Sequence, residues 1–381
     1  MNIPITKPYF DDKEGKAVAR VLKSGWVVQG PKVAEFEKAI AKFASVPYTI
    51  AASSCTTGLH LCLRSLEIGP GDEVIVPAFT FIASANVCEY VGARPVFVDI
   101  DLETFNLDAE KIAEKITKKT KAIMPVHLFG LAVNMRPIMK IAQKYQLKVI
   151  EDAACGIGTK YQNRHVGTIG DMGALSFHPR KSITTGEGGM ILTRNKVLAA
   201  KVSSLRDHGA VVSDLVRHRQ QSHQLSRYPY LGYNYRLTDI QAAIGLEQTK
   251  KLKKILQARI EKAEKYHLAF KNHPYLQTPL KPAYSNHTYQ SYVLLLKKGS
   301  PLSRDEMADR LSKVGIATRQ GTQNVPLLTY YRQKYSYQTA DFPQAFYAEK
   351  NTLTIPLYSQ MTEKEQNYVI ENILSLFKDY I

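Results

Sequence analysis

The chain has 381 residues, 44% hydrophobic and 22% charged, with 51 Lys and Arg against 34 Asp and Glu for a formal net charge of +17. That usage excludes a disordered chain, a fibrous repeat and a disulfide scaffold. The longest apolar stretches, such as Val74-Ile75-Val76 and Val96-Phe97-Val98, are strand-sized and too short to span a membrane. The length predicts more than one structural unit. Met1 to Phe10 has no apolar core of the signal-peptide kind. Cys55, Cys62, Cys88 and Cys155 show no CxxC pairing and no His partners at metal-ligand spacing, so no metal site is expected. The chain reads as soluble, reduced and cytoplasmic.

In chain order, residues 12–24 predict a helix, closed by the turn signals Gly25-Trp26 and Gly30-Pro31. Residues 33–43 repeat apolar positions (Val33, Phe36, Ile40, Phe43) at helical spacing. Short apolar runs follow at 73–77, 95–99, 121–126, 148–152, 173–177 and 189–193, and helical patterns at 84–91, 108–116 and 136–145 lie between the earlier ones. Alternation of this kind predicts an α/β fold with a mostly parallel central sheet flanked by helices. The last runs are closely spaced, so part of the sheet is expected to be antiparallel or rearranged. Residues 238–275 read as one long amphipathic helical region. A strand at 290–296 and helices at 303–314 and 362–377 follow, the last opened by Thr362 with Glu365 at capping-box spacing. These predict a smaller α+β C-terminal domain, giving units 1–245 and 246–381.

Four local features point to one chemistry. Ser53-Ser54-Cys55-Thr56-Thr57-Gly58 precedes an apolar helical run, where hydroxyls and free N–H groups make an anion site or a plain N-cap. Val149-Ile150-Glu151-Asp152 ends an apolar strand on an acid, at the position where α/β sheets place ligands; Asp152 could pair with a ring cation or a metal, or cap the next helix. Ser176-Phe177-His178-Pro179-Arg180-Lys181 leads to Gly186-Glu187-Gly188-Gly189. A lysine there is either a surface residue or a Schiff-base former, its pKa lowered by burial and neighbouring cations. Gly232-Tyr233-Asn234-Tyr235-Arg236-Leu237-Thr238-Asp239 opens the long helix. Basic residues also crowd 206–227, with no nucleic-acid-binding motif, which fits small phosphorylated ligands better than a polymer.

In this order and spacing, the four features resemble the DegT/DnrJ/EryC1/StrS sugar aminotransferases, of the fold-type I pyridoxal-phosphate class with its aspartate aminotransferase-like fold. The resemblance runs nearly end to end, through Pro77-Ala78-Phe79-Thr80-Phe81, Val126-His127-Leu128-Phe129-Gly130 and Ile355-Pro356-Leu357-Tyr358, and is strongest from Ser176 to Gly189. It implies that pyridoxal 5'-phosphate is the cofactor and Lys181 the lysine that bonds to it. Asp152 takes the place of the carboxylate at the pyridinium nitrogen. Cys55, Thr56 and Ser176 match phosphate-holding positions, and Phe81 the aromatic stacked on the ring. Asn234 matches an asparagine that reaches the phosphate of the partner subunit, which implies a homodimer with shared active sites. Cys155, beside the ring, stands where many members carry Gln or His, and Leu328 where they often carry His. Lys181 is not replaced by His as in the family's dehydratases, which favours transamination.

The resemblance implies an amino transfer from L-glutamate to a keto-sugar nucleotide, C4 favoured as in perosamine synthesis, for a surface polysaccharide, lipopolysaccharide or glycan. C3 amination, a sugar without a nucleotide, a non-catalytic cofactor-binding regulator and a nucleic-acid binder are the rival readings. Arg217, Arg219 and Arg227 are the candidates for the substrate diphosphate.

Overall fold

The computed structural model describes residues 1–211 and 226–380. Its centre is a seven-stranded sheet of β1 (Tyr48–Ala52), β2 (Glu73–Pro77), β3 (Arg94–Val98), β4 (Thr120–Ile123), β5 (Lys148–Asp152), β6 (Met172–Ser176) and β7 (Gly189–Thr193). The order is β1-β7-β6-β5-β4-β2-β3. Strands β6, β5, β4, β2 and β3 run parallel, while β7 is antiparallel to both β6 and β1. The closely spaced last runs are thus an antiparallel pair, as expected. β2, β6 and β7 are buried along their whole length, as strands covered on both faces must be.

The covering helices are α1 (Asp12–Ser24), α2 (Pro31–Ala44), α3 (Cys55–Ser65), α4 (Ala83–Tyr90), α5 (Met135–Tyr145) and α6 (Lys196–Arg206). Then comes α7 (Asp239–Phe270), begun by the reciprocal cap of Thr238 and Gln241. The start of α2 borrows its cap from a distance: Gly30, Lys32 and Val33 donate their N–H groups to the buried Asp239 carboxylate. α7 then crosses α2 closely. A Cβ on Gly245 would lie 2.6 Å from the Phe36 ring, which explains glycine inside a helix.

Leu252, Ile255 and Leu256 of α7 pack in the core below the large sheet. Ala263, Tyr266 and Phe270 of the same helix pack in a separate core with β9 (Tyr292–Leu296) and β11 (Thr352–Ile355). That second core holds an antiparallel sheet of β8 (Leu276–Gln277), β9, β11 and β10 (Arg319–Gln320), in the order β8-β9-β11-β10. Residue 245 lies within α7, so one continuous helix joins the two cores. Ile3 also belongs to the second core, held by backbone bonds to Gly315 and Ala317. A short antiparallel pairing of Phe79–Thr80 with Gln323–Asn324 ties the end of β2 to a C-terminal segment whose next residue, Val325, packs in the large core.

Two expectations need correction. The helix expected at 108–116 is two short 3₁₀ turns, Ala109–Lys111 and Ala113–Lys115. Within that stretch Ile112 is the fully buried residue, and one apolar anchor cannot hold a helical face against the core. The long helix ends at Phe270, short of 275, because Pro274 cannot continue it. No helix among the described residues is long and apolar enough to cross a membrane.

Candidate active site

Register brings the carboxyl ends of the central strands together. Ala52 pairs with Gly189, Gly189 with Ser176, and Asp152 with Ala174, so the ends of β1, β6 and β5 share one edge of the sheet. Above that edge is a cavity of about 680 Å³. Cys55, Thr56, Phe81, Asp152, Cys155, Ser176 and Lys181 all line it. A larger, more open groove of about 890 Å³ runs along α5, but among its lining residues Asp171 is the one carboxylate and is bonded to the Val149 N–H.

Strand alternation sends the two acids of β5 to opposite faces. Glu151 is fully buried. Its Oε2 accepts from His127 Nε2 at 2.8 Å and Gly167 N at 2.7 Å, and its Oε1 from Ile169 N at 2.6 Å and Gly170 N at 2.7 Å. His127 Nδ1 accepts from the Val133 N–H, so the ring proton sits on Nε2, facing the carboxylate. Burial works against the ionised Glu151, yet the His127 bond and the backbone donors outweigh it and hold the carboxyl below its ordinary range. Asp152 faces the cavity. Its Oδ2 accepts from Ser84 Oγ at 2.7 Å and its Oδ1 from Ala154 N at 3.0 Å, which fixes the carboxylate plane. Ser84 escaped the sequence reading, because nothing in the pattern of α4 separates it from any other serine near a helix start.

Lys181 sits in the β6–β7 connection. That loop is closed on itself: Phe177 N donates to Gly188 O, Thr185 N to Phe177 O, and Thr184 Oγ1 to Phe177 O. Gly186 supplies the left-handed turn at φ 85°. Gly189 follows directly over the start of α3, where a Cβ would lie 2.3 Å from the Ser54 carbonyl oxygen. Lys181 Nζ donates to Cys155 Sγ at 3.2 Å. Burial pushes the amine down, but Cys155, Cys55 and Asp152 pull it up by more, and the net direction is upward. The lowered value expected from the sequence is therefore corrected: the groups that decide the balance are anionic or anion-forming, not cations.

α3 begins at Cys55, with Ser54 and Thr57 capping each other. The helix thus includes Cys55 to Gly58, read as preceding it, and leaves Ser54 as its N-cap. The Cys55 thiol faces inward to Ala174 O at 3.6 Å, and burial, then Asp152, push it well above the ordinary thiol range. What Cys55 and Thr56 offer the cavity is their place in the first turn, where helical N–H groups have no carbonyl partner. Phe81 is 56% exposed at the cavity rim. Leu328 packs against the large core and is not among the cavity's lining residues. Asn234 is exposed and outside the cavity, in a backbone bridge with Asp207. Arg227 is exposed, its carbonyl accepting from Val211 N, and does not line the cavity. Arg217 and Arg219 lie outside the described residues.

The donor set fits a phosphorylated pyridine aldehyde. A carboxylate held by two donors suits a ring N–H, a buried amine suits the aldehyde, and a helix start beside the Ser176 hydroxyl suits a phosphate. Residues 8–374 match the model of the DegT/DnrJ/EryC1/StrS aminotransferase family. The chain belongs to this family. It is 38% identical to the spore coat polysaccharide biosynthesis protein SpsC of Bacillus subtilis, over 99% of this chain and 97% of that one. It is also 38% identical to the GDP-perosamine synthase of Caulobacter vibrioides, over 97% of this chain and 96% of that one. Spr1654 from Streptococcus pneumoniae in its PLP form superposes with a TM-score of 0.92 at 30% identity, covering 100% of both chains. The protein is a pyridoxal-phosphate-dependent sugar aminotransferase with the fold of that enzyme class.

Proposed function

We propose that this aminotransferase moves an amino group from L-glutamate to C4 of a keto-sugar carried on a nucleoside diphosphate, in the cytoplasm, to supply a surface polysaccharide or glycan. The observation that carries the proposal is the joint placement of Lys181 and Asp152 in one cavity large enough for a cofactor and a sugar. The names of SpsC and GDP-perosamine synthase support a polysaccharide pathway and a nucleotide-linked sugar.

Bound pyridoxal phosphate supplies the electron sink and the carbonyl carbon that captures amines. The protein does the rest. Asp152, held by Ser84 and Ala154, keeps a proton on the ring nitrogen. The first turn of α3 and Ser176 would hold the phosphate, with Phe81 beside them in the cavity lining. Lys181 would hold the cofactor, and its freed Nζ would be the group that carries the proton taken from the donor α-carbon. Cys155 Sγ, 3.2 Å from Lys181 Nζ, would help position that amine.

Asn234 completes the phosphate site of a second copy, so the working unit is a homodimer. Its exposure, outside its own protomer's cavity, supports that assignment. Mixing Lys181→Ala with a severely impaired Asn234→Ala protomer should restore part of the activity; exchanged subunits that recover nothing would refute a shared site. The substrate is tested by incubating the holoenzyme with L-glutamate and a panel of 3-keto and 4-keto nucleotide sugars, with the amino-sugar identified by mass and NMR. A product aminated at C3 would overturn the choice of carbon. Turnover of the free keto-sugar alone would overturn the nucleotide.

A further inference from the structure

Cations outnumber carboxylates around the cavity: Arg180, Lys181 and Arg319 line it with Asp152 and Glu187. Asp152 is already engaged by Ser84 and Ala154, Lys181 by Cys155, and Glu187 lies 4.0 Å from His178. The two guanidinium groups differ. Arg180 uses its backbone N–H on His178 and its carbonyl on Gln290. Arg319 pairs through its backbone with Thr354 in the smaller sheet. Neither guanidinium has a hydrogen-bond or carboxylate partner among the described residues. Partial desolvation, reinforced by the Arg319 charge, holds Arg180 below its ordinary range. Two exposed like charges lining one cavity, neither with a carboxylate partner among the described residues, favour the arrival of an anion.

We propose that Arg180 and Arg319 form a two-armed oxyanion clamp at the cavity mouth, which takes the anionic part of a substrate remote from the reacting carbon. The inference rests on the aminotransferase reading above and names the residues that recognise its substrate. One arm leaves the β6–β7 connection of the large unit and the other stands on β10 of the small unit. An anion held by both would therefore tie the two units together over the cavity. Gln290, Gln320 and Gln323 line the same wall and add neutral polar groups. The shared chemistry is a set of oxygens that guanidinium can meet bidentately. Two sources exist: the diphosphate of a nucleotide sugar and the side-chain carboxylate of the amino donor. The clamp is a candidate for anion recognition within one protomer; Arg227 does not line its own protomer's cavity.

Calorimetric titration of the cofactor-loaded protein with inorganic pyrophosphate and with glutarate tests the clamp without any turnover. Arg180→Ala and Arg319→Ala should each weaken one of these anions by ten- to a hundredfold. Arg180→Lys should recover only part of the loss, because it keeps the charge but not the fork. Weakened pyrophosphate with unchanged glutarate assigns the clamp to the nucleotide sugar; the reverse assigns it to the donor; weakening of both supports one clamp serving both half-reactions. Wild-type protein that binds neither anion, or variants that bind both as wild type does, overturn the proposal. So does loss of cofactor absorbance or of the urea midpoint in either alanine variant, which would make the arginine structural. Since anion binding is read alone, a failed search for an accepted sugar leaves this result standing, and the two readings fail separately.

Discussion

The two walls of the cavity are built on different principles. The wall at the sheet edge (Asp152, Cys155, Ser176, Lys181 and the start of α3) consists of buried or half-buried groups, most of them bonded to a neighbour. Its backbone is fixed by the strand ladder and the closed β6–β7 connection. The facing wall (Gln290, Arg319, Gln320, Gln323) consists of longer side chains, partly or fully exposed, on the smaller unit. Bonded groups cost little to hold in one geometry when the reaction needs them, which suits proton transfer. Gln290 and Gln323 tie that wall to the Arg180 carbonyl and the Ile82 N–H, while the exposed Arg319 is left to adapt to a ligand, which suits recognition. The difference predicts that damage to the first wall harms both half-reactions, while damage to the second separates them.

The largest break should come at Lys181. Lys181→Arg keeps the charge and removes the nucleophilic amine, so turnover should vanish in both half-reactions. Borohydride should fix pyridoxal phosphate on Lys181 in the wild-type protein. A reduced adduct mapped to another lysine would remove Lys181 from the first wall.

Asp152→Asn is next. The shape and the Ser84 contact are kept while the charge at the ring nitrogen is lost. Turnover should fall on the order of a hundredfold or more (roughly 3 kcal/mol) with the cofactor still bound. Near-normal rates in stopped-flow absorbance would make Asp152 a helix cap and nothing more.

Glu151 separates the wall from its foundation. Its four donors leave no place for an amide NH₂, because either flip of a glutamine points a donor at two donors. Glu151→Gln should therefore cost about 3 kcal/mol of stability, read as a lower urea midpoint at pH 7. The pH dependence has a definite sign. The folded carboxyl lies below its ordinary value of 4.5, so its contribution is present above that value and is lost as pH falls through the folded value. Wild-type midpoints should drop on acidification below 4.5, and the glutamine variant should lose less over the same interval. Equal losses would detach the acid sensitivity from Glu151.

Cys155 should give the smallest effect. Cys155→Ala removes the hydrogen-bond partner of Lys181 Nζ. A change of about 1 kcal/mol, or several-fold in turnover, is expected, together with a downward shift of the basic limb of the pH–rate profile. The direction follows from the upward pull that Cys155 exerts on the amine. An unshifted limb would show that the thiol only fills space.

The helices and strands that carry the site were legible in the sequence because their signals are local. Asp152 ends an apolar run, and residues 148–152 and 189–193 form strands with the ends that the pattern predicts. The capping pair of Thr362 with Glu365 also works as read. β1 was missed, since Tyr48–Ala52 is short and lacks alternation, and its pairing partner lies far along the chain in β7. Lys181, Ser176 and the start of α3 could be named from their motifs and family resemblance. Their common edge could not, because it depends on the register of β1, β7, β6 and β5.

Local patterning and resemblance to a known family were therefore enough to determine the fold class, the cofactor and the candidate lysine and aspartate. Tertiary structure decided three further points. It distinguished Glu151, sealed by four donors, from Asp152, open to the cavity, although the two are adjacent in sequence. It brought Ser84 to Asp152 across 68 residues, and set Arg319 facing the opening that holds Arg180. It also reversed the expected shift of Lys181, because burial alone would lower the amine and the thiol and carboxylate that outweigh it come from other strands and loops. The physical reason is the same in each case: a side chain's chemistry depends on what lies within a few ångströms, and sequence distance does not measure that.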